Sequence, residues 1–341
     1  MGSAARVAAP PLLVIQTSFL GDVVLTTPLL THLATLGPVD VVTTPAGSAL
    51  LENHPAVRHV IRYDKRGAQK GVGGLRSLAA QLRAERYGAA YLAQGSWRSA
   101  ALAWLARIPV RIGFDTSAGA MLYTEQVVYR SDLHHATRLL QLSPDDAALG
   151  DPRPTLYPGD DDRSAVNALL ATAPFGNARF VALAPGSVWA TKRWPGFTGF
   201  AAHIPSQYGI VVVGGSEDGE LAREIVAQAP ERVLDATGRL PLLASAELIG
   251  RAAGLITNDS LPQHLASAMG TPTVTIYGPT LPAFGFGPLA PRHAIVEHPP
   301  GLECRPCSAH GPQRCPRGHF RCMREISAAT VSASLLTITA D

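Results

Sequence analysis

The chain has 341 residues, of which 46% are hydrophobic and only 16% charged, a balance typical of a folded globular protein and not of a disordered one. Its net charge of +3, without an aromatic–basic stripe, gives no indication of nucleic-acid binding, and no apolar run is long enough for a membrane span. The length predicts two domains. The start, Arg6 and then Val7–Ile15, faintly resembles a signal peptide, but Pro10-Pro11 interrupts it, so we expect a cytoplasmic protein.

Short apolar runs alternate with helical stretches through the first half of the chain. We predict strands at 12–17, 39–43, 57–63, 89–93 and 108–114, and helices at 23–36, 78–86, 99–107 and 134–142. Residues 64–76 are basic and rich in glycine, and we predict a mobile loop there. Such alternation is typical of a doubly wound parallel sheet.

A linker is indicated where proline, aspartate and glycine accumulate, at residues 143–162. The second half repeats the α/β pattern, with predicted strands at 180–184, 210–213, 233–235, 255–257 and 273–277 and helices at 163–171, 197–204, 219–228 and 242–253. We therefore predict a Rossmann-like domain at 1–150, a linker region at 151–175 and a second Rossmann-like domain at 176–341. Two such domains are expected to face a central cleft that binds the ligand.

The stretch 254–280 is predicted to form a strand, a polar turn, a short helix and a second strand. Asn258, Asp259 and Ser260 are residue types that cap helices, and Pro262 suits the first helical turn. Such a unit aims backbone N–H groups and the positive end of a helix dipole at the carboxyl edge of the sheet, where phosphates bind. The alternative is an ordinary, well-capped βαβ unit without a ligand.

A second motif, Ser18-x-x-Gly21-Asp22, follows the first predicted strand. Gly21 is expected to let the backbone turn, and Asp22 falls at the start of the next helix. A carboxylate there is suited to act as a general base, although the helix dipole favours an acid at this position in any case.

A third motif follows the strand at 180–184 and combines the turn at Gly186-Ser187 with Lys192-Arg193. Cations beside a glycine turn suit a phosphate; the alternative is a solvated basic loop with Trp194 in the core. The turn at Gly214-Gly215 is of a type that binds nucleotides, but the three spaced glycines of the dinucleotide fingerprint are absent. His264, one turn into the helix after Ser260, fits either a site or a buried structural histidine.

Together the motifs resemble those of glycosyltransferase family 9, the ADP-heptose:lipopolysaccharide heptosyltransferases, and are nearer to the heptosyltransferase II branch. The resemblance runs in order from about residue 12 to 330 and rests on Ser18–Val23, Pro185–Ser187, Lys192–Pro195, Gly214–Gly215, Asn258–Ala266, Gly270–Pro272 and Tyr277–Thr280. The sequence departs from the family at Leu261, where the family usually has glycine. A backbone contact with phosphate at 261 is therefore not assigned.

The resemblance implies an α/β protein of the GT-B fold that transfers heptose with inversion from ADP-heptose to a lipopolysaccharide inner-core acceptor, without a required cofactor. Asp22 would be the general base. The other site residues implied are Ser18 and Gly21 on the acceptor side, and Ser187, Lys192, Gly214, Gly215, Asp259, Ser260 and His264 on the donor side. The partners implied are an ADP-sugar and a lipid-linked oligosaccharide, with peripheral contact to the inner membrane.

All four cysteines, Cys304, Cys307, Cys315 and Cys322, lie in one stretch together with His310 and His319. Their spacing could hold a structural zinc ion, and reduced, partly buried thiols are the alternative. A disulfide is less expected in the cytoplasm.

An acidic cluster, Asp160–Asp162, could hold Mg²⁺ or, more simply, could cap the N-terminus of a helix.

Other interpretations remain open at this stage. Lys65, Arg66, Lys70 and Arg76 suit acceptor phosphates or an anionic membrane leaflet, or form a solvated loop. The chain could also use another nucleotide-sugar or a protein acceptor, act as a sugar-nucleotide epimerase or phosphorylase on the same fold, or bind its ligand without catalysis.

Overall fold

The computed structural model describes residues 9–144 and 150–340. They form two compact units, divided between Pro152 and Arg153. Each unit is built around one parallel sheet of six strands. The predicted α/β class is therefore confirmed. Arg6 and Val7, at the start of the apolar run discussed above, lie outside the described residues.

The sheet of the first unit has the order β3-β2-β1-β4-β5-β6, with every pair parallel. Its strands are β1 Leu12–Gln16, β2 Val39–Thr43, β3 His59–Arg62, β4 Ala89–Leu92, β5 Val110–Phe114 and β6 Glu125–Val127. Its helices are α1 Leu20–Leu33, α2 Pro45–Leu51, α3 Gly71–Ala84, α4 Trp97–Leu105 and α5 His135–Leu140. The apolar runs of β1, β2 and β4 are almost wholly buried, as expected for strands covered by helices on both faces.

Two predictions for this unit were wrong. Helix α1 begins at Leu20, so Gly21 is helical and does not form the predicted turn. The basic stretch 64–76 is not one loop, because helix α3 starts at Gly71 and contains Arg76. Three elements were not predicted at all, namely α2, β6 and the short 3-10 turn Ala120–Leu122.

The second sheet has the order β12-β11-β10-β7-β8-β9, again with every pair parallel. Its strands are β7 Phe180–Ala184, β8 Gly209–Val212, β9 Val233–Asp235, β10 Gly254–Asn258, β11 Thr273–Tyr277 and β12 His293–Glu297. Its helices are α6 Asp160–Leu170, α7 Gly219–Gln228, α8 Leu242–Arg251, α9 Leu261–Met269, α10 Arg321–Arg324 and α11 Ala328–Thr339. The predicted helix at 197–204 is instead two 3-10 turns, Pro195–Phe197 and Phe200–His203.

Residues 151–175, assigned to the linker region, include helix α6, which packs against α8. Its first turn holds Asp160, Asp161 and Asp162, and the Asp162 carboxylate accepts from the Gly159 backbone N–H at 2.9 Å. The acidic cluster therefore caps this helix, as the simpler interpretation proposed. Within the part of the chain that is described, no helix is long and apolar enough to cross a bilayer.

In each sheet the strand order reverses between two neighbouring strands, β1 and β4 in the first and β10 and β7 in the second. Helical connections leave on opposite sides of such a position, which opens a crevice at the carboxyl ends of the strands. In open α/β sheets, ligands bind at this crevice. Three of the turns singled out in the sequence follow β1, β7 and β10, and the fourth, Gly214–Gly215, follows β8.

Candidate active site

At the reversal in the second sheet, Asn258 joins three segments. Its side-chain N–H₂ donates to the Pro185 carbonyl at 2.8 Å, and its side-chain oxygen accepts from the Trp194 backbone N–H at 3.0 Å. Asn258 is fully buried, so these bonds satisfy a polar group that has no access to water. The ends of β7 and β10 and the loop that carries Lys192 are thereby fixed to one another.

The capping interpretation of the turn at 258–260 was wrong. Ser260 is the N-cap residue of α9, but its side chain accepts no capping hydrogen bond. The side chains of Asn258 and Asp259 point to neighbouring loops instead. Pro262 does occupy the first helical turn, as predicted, and Gly270 ends the helix in the left-handed conformation with φ of 74°.

Asp259 holds the centre of the site. One carboxylate oxygen lies 2.5 Å from Lys192 Nζ and accepts from the Thr280 hydroxyl at 2.7 Å. The other accepts from Gln263 Nε2 at 3.2 Å. Lys192 and Asp259 are 8% and 9% exposed and Thr280 only 1%. The alternative of a solvated basic loop is therefore wrong for Lys192, which is a buried cation at the carboxyl edge of the sheet.

Helix α9 begins beside this ion pair. Pro262 contributes no N–H, and the Gln263 N–H donates to the Ser260 carbonyl at 3.2 Å, so an anion at this terminus would rely on the N–H groups of Ser260 and Leu261 and on the dipole. Leu261 is half-buried. His264 is buried in the next part of the helix, with Nε2 3.4 Å from Gln263 Nε2.

The glycine turns of this edge surround a buried carboxylate. A Cβ on Gly186 would lie 2.3 Å from the Asp218 carboxylate, and a Cβ on Gly214 would lie 2.5 Å from it. The Gly215 N–H donates to Asp218 at 3.1 Å. Burial raises the pKa of Asp218. Glycine at 186 and 214 therefore leaves room for the Asp218 side chain. The Asp218 carboxylate would repel an anion placed beside it.

The loop between Gly186 and Trp194 is held at both ends. Arg193 Nε donates to the Ser187 carbonyl at 2.9 Å, and Ser187 Oγ accepts from the Trp189 N–H at 3.4 Å. Trp194 packs edge-on against Phe197 and is 3% exposed, so its predicted place in the core is confirmed. These contacts tie the two ends of the loop together, and Lys192 points to Asp259.

In the first unit, Asp22 lies in the first turn of α1, where the helix dipole favours its charged form. Its carboxylate is 3.9 Å from Nε2 of His135, in helix α5, which packs against α1. Burial lowers the pKa of His135 to about 3, so the imidazole is neutral at pH 7 and does not cancel the carboxylate charge. Ser18 is placed by its N–H, which donates to Gln16 Oε1 at 3.2 Å.

Next to Asp22, the end of β1 is bound to two neighbouring loops. The Thr17 hydroxyl donates to Gln94 Oε1 at 2.5 Å, and Lys65 Nζ donates to the Thr17 carbonyl at 2.7 Å. Arg98 Nη1 lies 3.5 Å from the Lys65 carbonyl. Burial, with the neighbouring cations Arg66 and Arg98, lowers the pKa of Lys65. Lys65 is thus an anchored cation at this edge.

The cysteine stretch does not assemble a metal site. Cys304 Sγ and His319 Nε2 lie 3.7 Å apart, but no three histidine, cysteine or acidic side chains in residues 9–144 and 150–340 are placed to hold a metal ion. All four thiols are free in this structure. The zinc hypothesis for Cys304, Cys307, Cys315 and Cys322 stays a prediction that this geometry does not support.

The structure gathers Ser187, Lys192, Gly214, Gly215, Asp259, Ser260 and His264 at one edge of the second sheet and Ser18, Gly21 and Asp22 at one edge of the first. No role was predicted from the sequence for His135, Asp218 or Gln263. Their positions depend on tertiary packing. Gln263 follows Asp259 by four residues, which is the one signal that spacing could have supplied.

Comparisons with known proteins identify the family and the fold that the chain resembles. The family model for glycosyltransferase family 9 (heptosyltransferase) matches residues 75–313. A curated relative, lipopolysaccharide heptosyltransferase 2 of Salmonella typhimurium, is 28% identical over 308 residues, which cover 84% of this chain and 87% of that protein.

Two solved structures share the fold. The glycosyl transferase family 9 protein from Veillonella parvula superposes with a TM-score of 0.84 at 23% identity and covers 99% of both chains. The ADP-heptose lipopolysaccharide heptosyltransferase II of E. coli superposes with a TM-score of 0.77 at 23% identity, covering 96% of this chain and 98% of that one. The predicted GT-B class of fold is confirmed by these likenesses.

Proposed function

The chain belongs to glycosyltransferase family 9, and on that premise we propose that it transfers heptose from ADP-heptose to the inner core of a lipopolysaccharide acceptor. The observation that carries the proposal is the buried Lys192–Asp259–Thr280 cluster beside the start of α9. The names of its relatives supply the sugar, the nucleotide and the acceptor class.

The cluster suits a leaving diphosphate. Lys192 uses one N–H on Asp259, so its ammonium group has further N–H bonds to offer a phosphate oxygen. The N-terminus of α9 adds the positive end of a dipole. When the bond between the sugar and the diphosphate breaks, negative charge grows on the ADP oxygens, and fixed positive groups in a site shielded from water stabilise it more than water would. Ser187 and Ser260 would act as further hydroxyl donors from the turns after β7 and β10; the Ser260 hydroxyl lies 3.5 Å from the Gly186 carbonyl.

Asp22 is the proposed general base. It accepts the proton of the acceptor hydroxyl while that oxygen forms a bond to the anomeric carbon and ADP departs from the opposite face, so the anomeric configuration inverts in one step. The helix dipole keeps Asp22 ionised and therefore able to accept a proton. Neutral His135, 3.9 Å away, leaves that charge in place. Ser18 and Gly21 would position the backbone on the acceptor side.

Other residues of the first unit fit an anionic, lipid-linked acceptor. Lys65 and Arg66 provide charge at the carboxyl edge, and Trp97 and Met121 expose 51% and 78% of their surfaces in segments that follow β4 and β5. A flat aromatic ring beside cations suits a charged sugar. We include in the proposal that the protein acts at the cytoplasmic face of the inner membrane, in peripheral contact with it.

The proposed reaction needs no metal ion, because Lys192 and the start of α9 supply positive charge at the diphosphate. Nor does it need a nucleophilic thiol, since a single displacement forms no covalent enzyme intermediate. The cysteine stretch therefore has no assigned step in the chemistry.

The experiment that tests the proposal is acceptor omission. With ADP-heptose and a heptose-deficient lipopolysaccharide acceptor, we expect ADP release only when both are present. An epimerase would alter the sugar without acceptor, and a binding module would hold the donor without turnover, so the same assay separates both rivals. UDP or GDP sugars in place of ADP-heptose test the donor assignment.

A further inference from the structure

Residues 305–313, here called the bridging segment, contact two turns, each of which carries a hydrogen-bond donor to Asp259. One turn, 188–192, ends in Lys192, and the other, 277–280, ends in Thr280. We propose that the bridging segment positions Lys192 against Thr280 and so sets the geometry of the donor site. This inference rests on the proposed function only in naming the ligand of that site.

The first half of the bridging segment binds the turn at 277–280. Arg305 Nε donates to the Gly278 carbonyl at 2.5 Å, and Nη2 reaches the Thr280 carbonyl at 3.1 Å and the Tyr277 carbonyl at 3.5 Å. The Cys307 N–H donates to the Pro279 carbonyl at 2.9 Å. Four consecutive carbonyl groups therefore accept from two residues of the segment. The guanidinium group has the rigid fork of donors that such an array requires.

The second half of the bridging segment binds the turn at 188–192. The Gln313 side chain accepts from the Ala190 N–H at 3.1 Å and donates to the Val188 carbonyl at 3.0 Å. The Thr191 hydroxyl donates to the Pro312 carbonyl. The rings of Trp189 and His310 stack with centroids 6.1 Å apart. Residues 188–191 are thus each held by the segment, directly before Lys192.

Gly311 lies where the bridging segment passes both turns. A Cβ there would be 3.0 Å from Pro279 Cγ, 3.3 Å from the Thr191 hydroxyl and 3.5 Å from Lys192 Cγ. Its φ of +79° also favours glycine. A side chain at 311 would therefore crowd both turns, and we expect a shift of the segment to move Lys192 and Thr280 together.

Because Lys192 and Thr280 bond to the same oxygen of Asp259, their separation decides whether the ammonium group can keep Asp259 and still reach a phosphate. Arg305 and Gln313 are accordingly positioning residues. They act through Lys192 and Thr280 and have no assigned contact with the reacting atoms.

The test uses Gln313→Ala, Arg305→Ala and Arg305→Lys in the full chain, with the exposed neighbour Arg314→Ala as the matched control. Gln313→Ala removes the acceptor of the Ala190 N–H, so we expect faster hydrogen exchange at 188–192 with an unchanged melting temperature. We also expect the KM for ADP-heptose to rise by about 10-fold, the loss of one or two hydrogen bonds, with kcat reduced less. Arg305→Ala should do the same at 277–280, and Arg305→Lys should restore part of the loss.

Unchanged exchange at both turns in Gln313→Ala and Arg305→Ala would overturn the inference, and so would equal effects in Arg314→Ala. The exchange measurement needs no donor. If the variants show the predicted exchange pattern but the wild-type protein binds no ADP-heptose, the proposed function is contradicted and the positioning role remains intact.

Discussion

Lys192 Nζ lies 2.5 Å from Asp259 Oδ2, and each of the two side chains is only 10% exposed. The pair comes from two loops that are 67 residues apart in the chain, at the carboxyl ends of neighbouring strands. A buried ion pair is costly to break, because removal of one partner leaves the other without its counter-charge. We therefore expect stability and the proposed donor binding to depend on the same two residues.

Replacing Lys192 should affect both properties. We expect Lys192→Met to lower the free energy of unfolding by about 3–5 kcal/mol, since Asp259 is left buried and unpaired, and to weaken ADP binding by more than about 10-fold. Urea denaturation and calorimetric titration measure the two effects, with the exposed cation Arg317→Met as control. Wild-type stability in Lys192→Met would show that the pair is not formed in solution.

Asp22→Asn should separate chemistry from binding. The amide is close in shape but is a much weaker base, so we expect kcat to fall by about 10²–10⁴-fold. ADP affinity should be unchanged, because Asp22 belongs to the first unit and the proposed diphosphate contacts belong to the second. The exposed acid Asp132→Asn serves as control. Turnover at the wild-type rate in Asp22→Asn would remove this residue from the mechanism.

The sequence was sufficient for the α/β class, for most strands and for the three loops that carry the site, because buried parallel strands are short apolar runs followed by polar or glycine turns. It was insufficient for the roles within those loops. Asn258 and Asp259 have the composition of a helix cap, but their side chains bond to Pro185 and Lys192, partners more than 60 residues away that no local pattern can identify.

Local periodicity also failed where tertiary contacts decide the conformation. The stretch 197–204 has apolar spacing typical of a helix, yet residues 195–203 form two 3-10 turns. Phe197 and Phe200 both pack against Trp194, a contact that local periodicity does not predict. Strand β12 and helices α10 and α11 were not predicted. β12 lies at the edge of the sheet and is mostly exposed, so it lacks the continuous apolar run of a buried strand.

Two buried histidines of the first unit should make it sensitive to acid. Burial lowers the pKa of His54 to about 4 and that of His135 to about 3, below the value of about 6.5 expected in the unfolded chain. Between pH 6.5 and 4 the unfolded state therefore binds more protons, and stability must fall as the pH falls. We expect each histidine to cost about 2 kcal/mol at pH 5.

Urea denaturation at pH 7.5 and pH 5 measures this dependence. His54→Gln should lessen the loss on acidification by about 2 kcal/mol, whereas a substitution of an exposed histidine in the second unit, His203→Gln, should leave it unchanged. An equal pH dependence in wild type and His54→Gln would mean that His54 is not buried in its neutral form.

Removal of metal ions should leave the transfer rate unchanged. Lys192 and the start of α9 are proposed to stabilise the leaving diphosphate, so EDTA treatment is expected to preserve kcat, and added Mg²⁺ is expected to have no effect. Metal analysis of the untreated protein tests the cysteine stretch in the same sample. One zinc ion per chain would show that Cys304, Cys307, Cys315 and Cys322 assemble differently in solution, and a rate abolished by EDTA would contradict the metal-free mechanism.

The central claim is that heptose passes from ADP-heptose to a lipopolysaccharide acceptor, and mass spectrometry of a heptose-deficient acceptor after incubation with enzyme and donor tests it most directly. We predict that the acceptor gains one heptose, that ADP is released in equal amount, and that both products form about 10²–10⁴-fold more slowly in Asp22→Asn. An acceptor that stays unmodified would contradict the account. So would ADP release, or an altered sugar, when no acceptor is present.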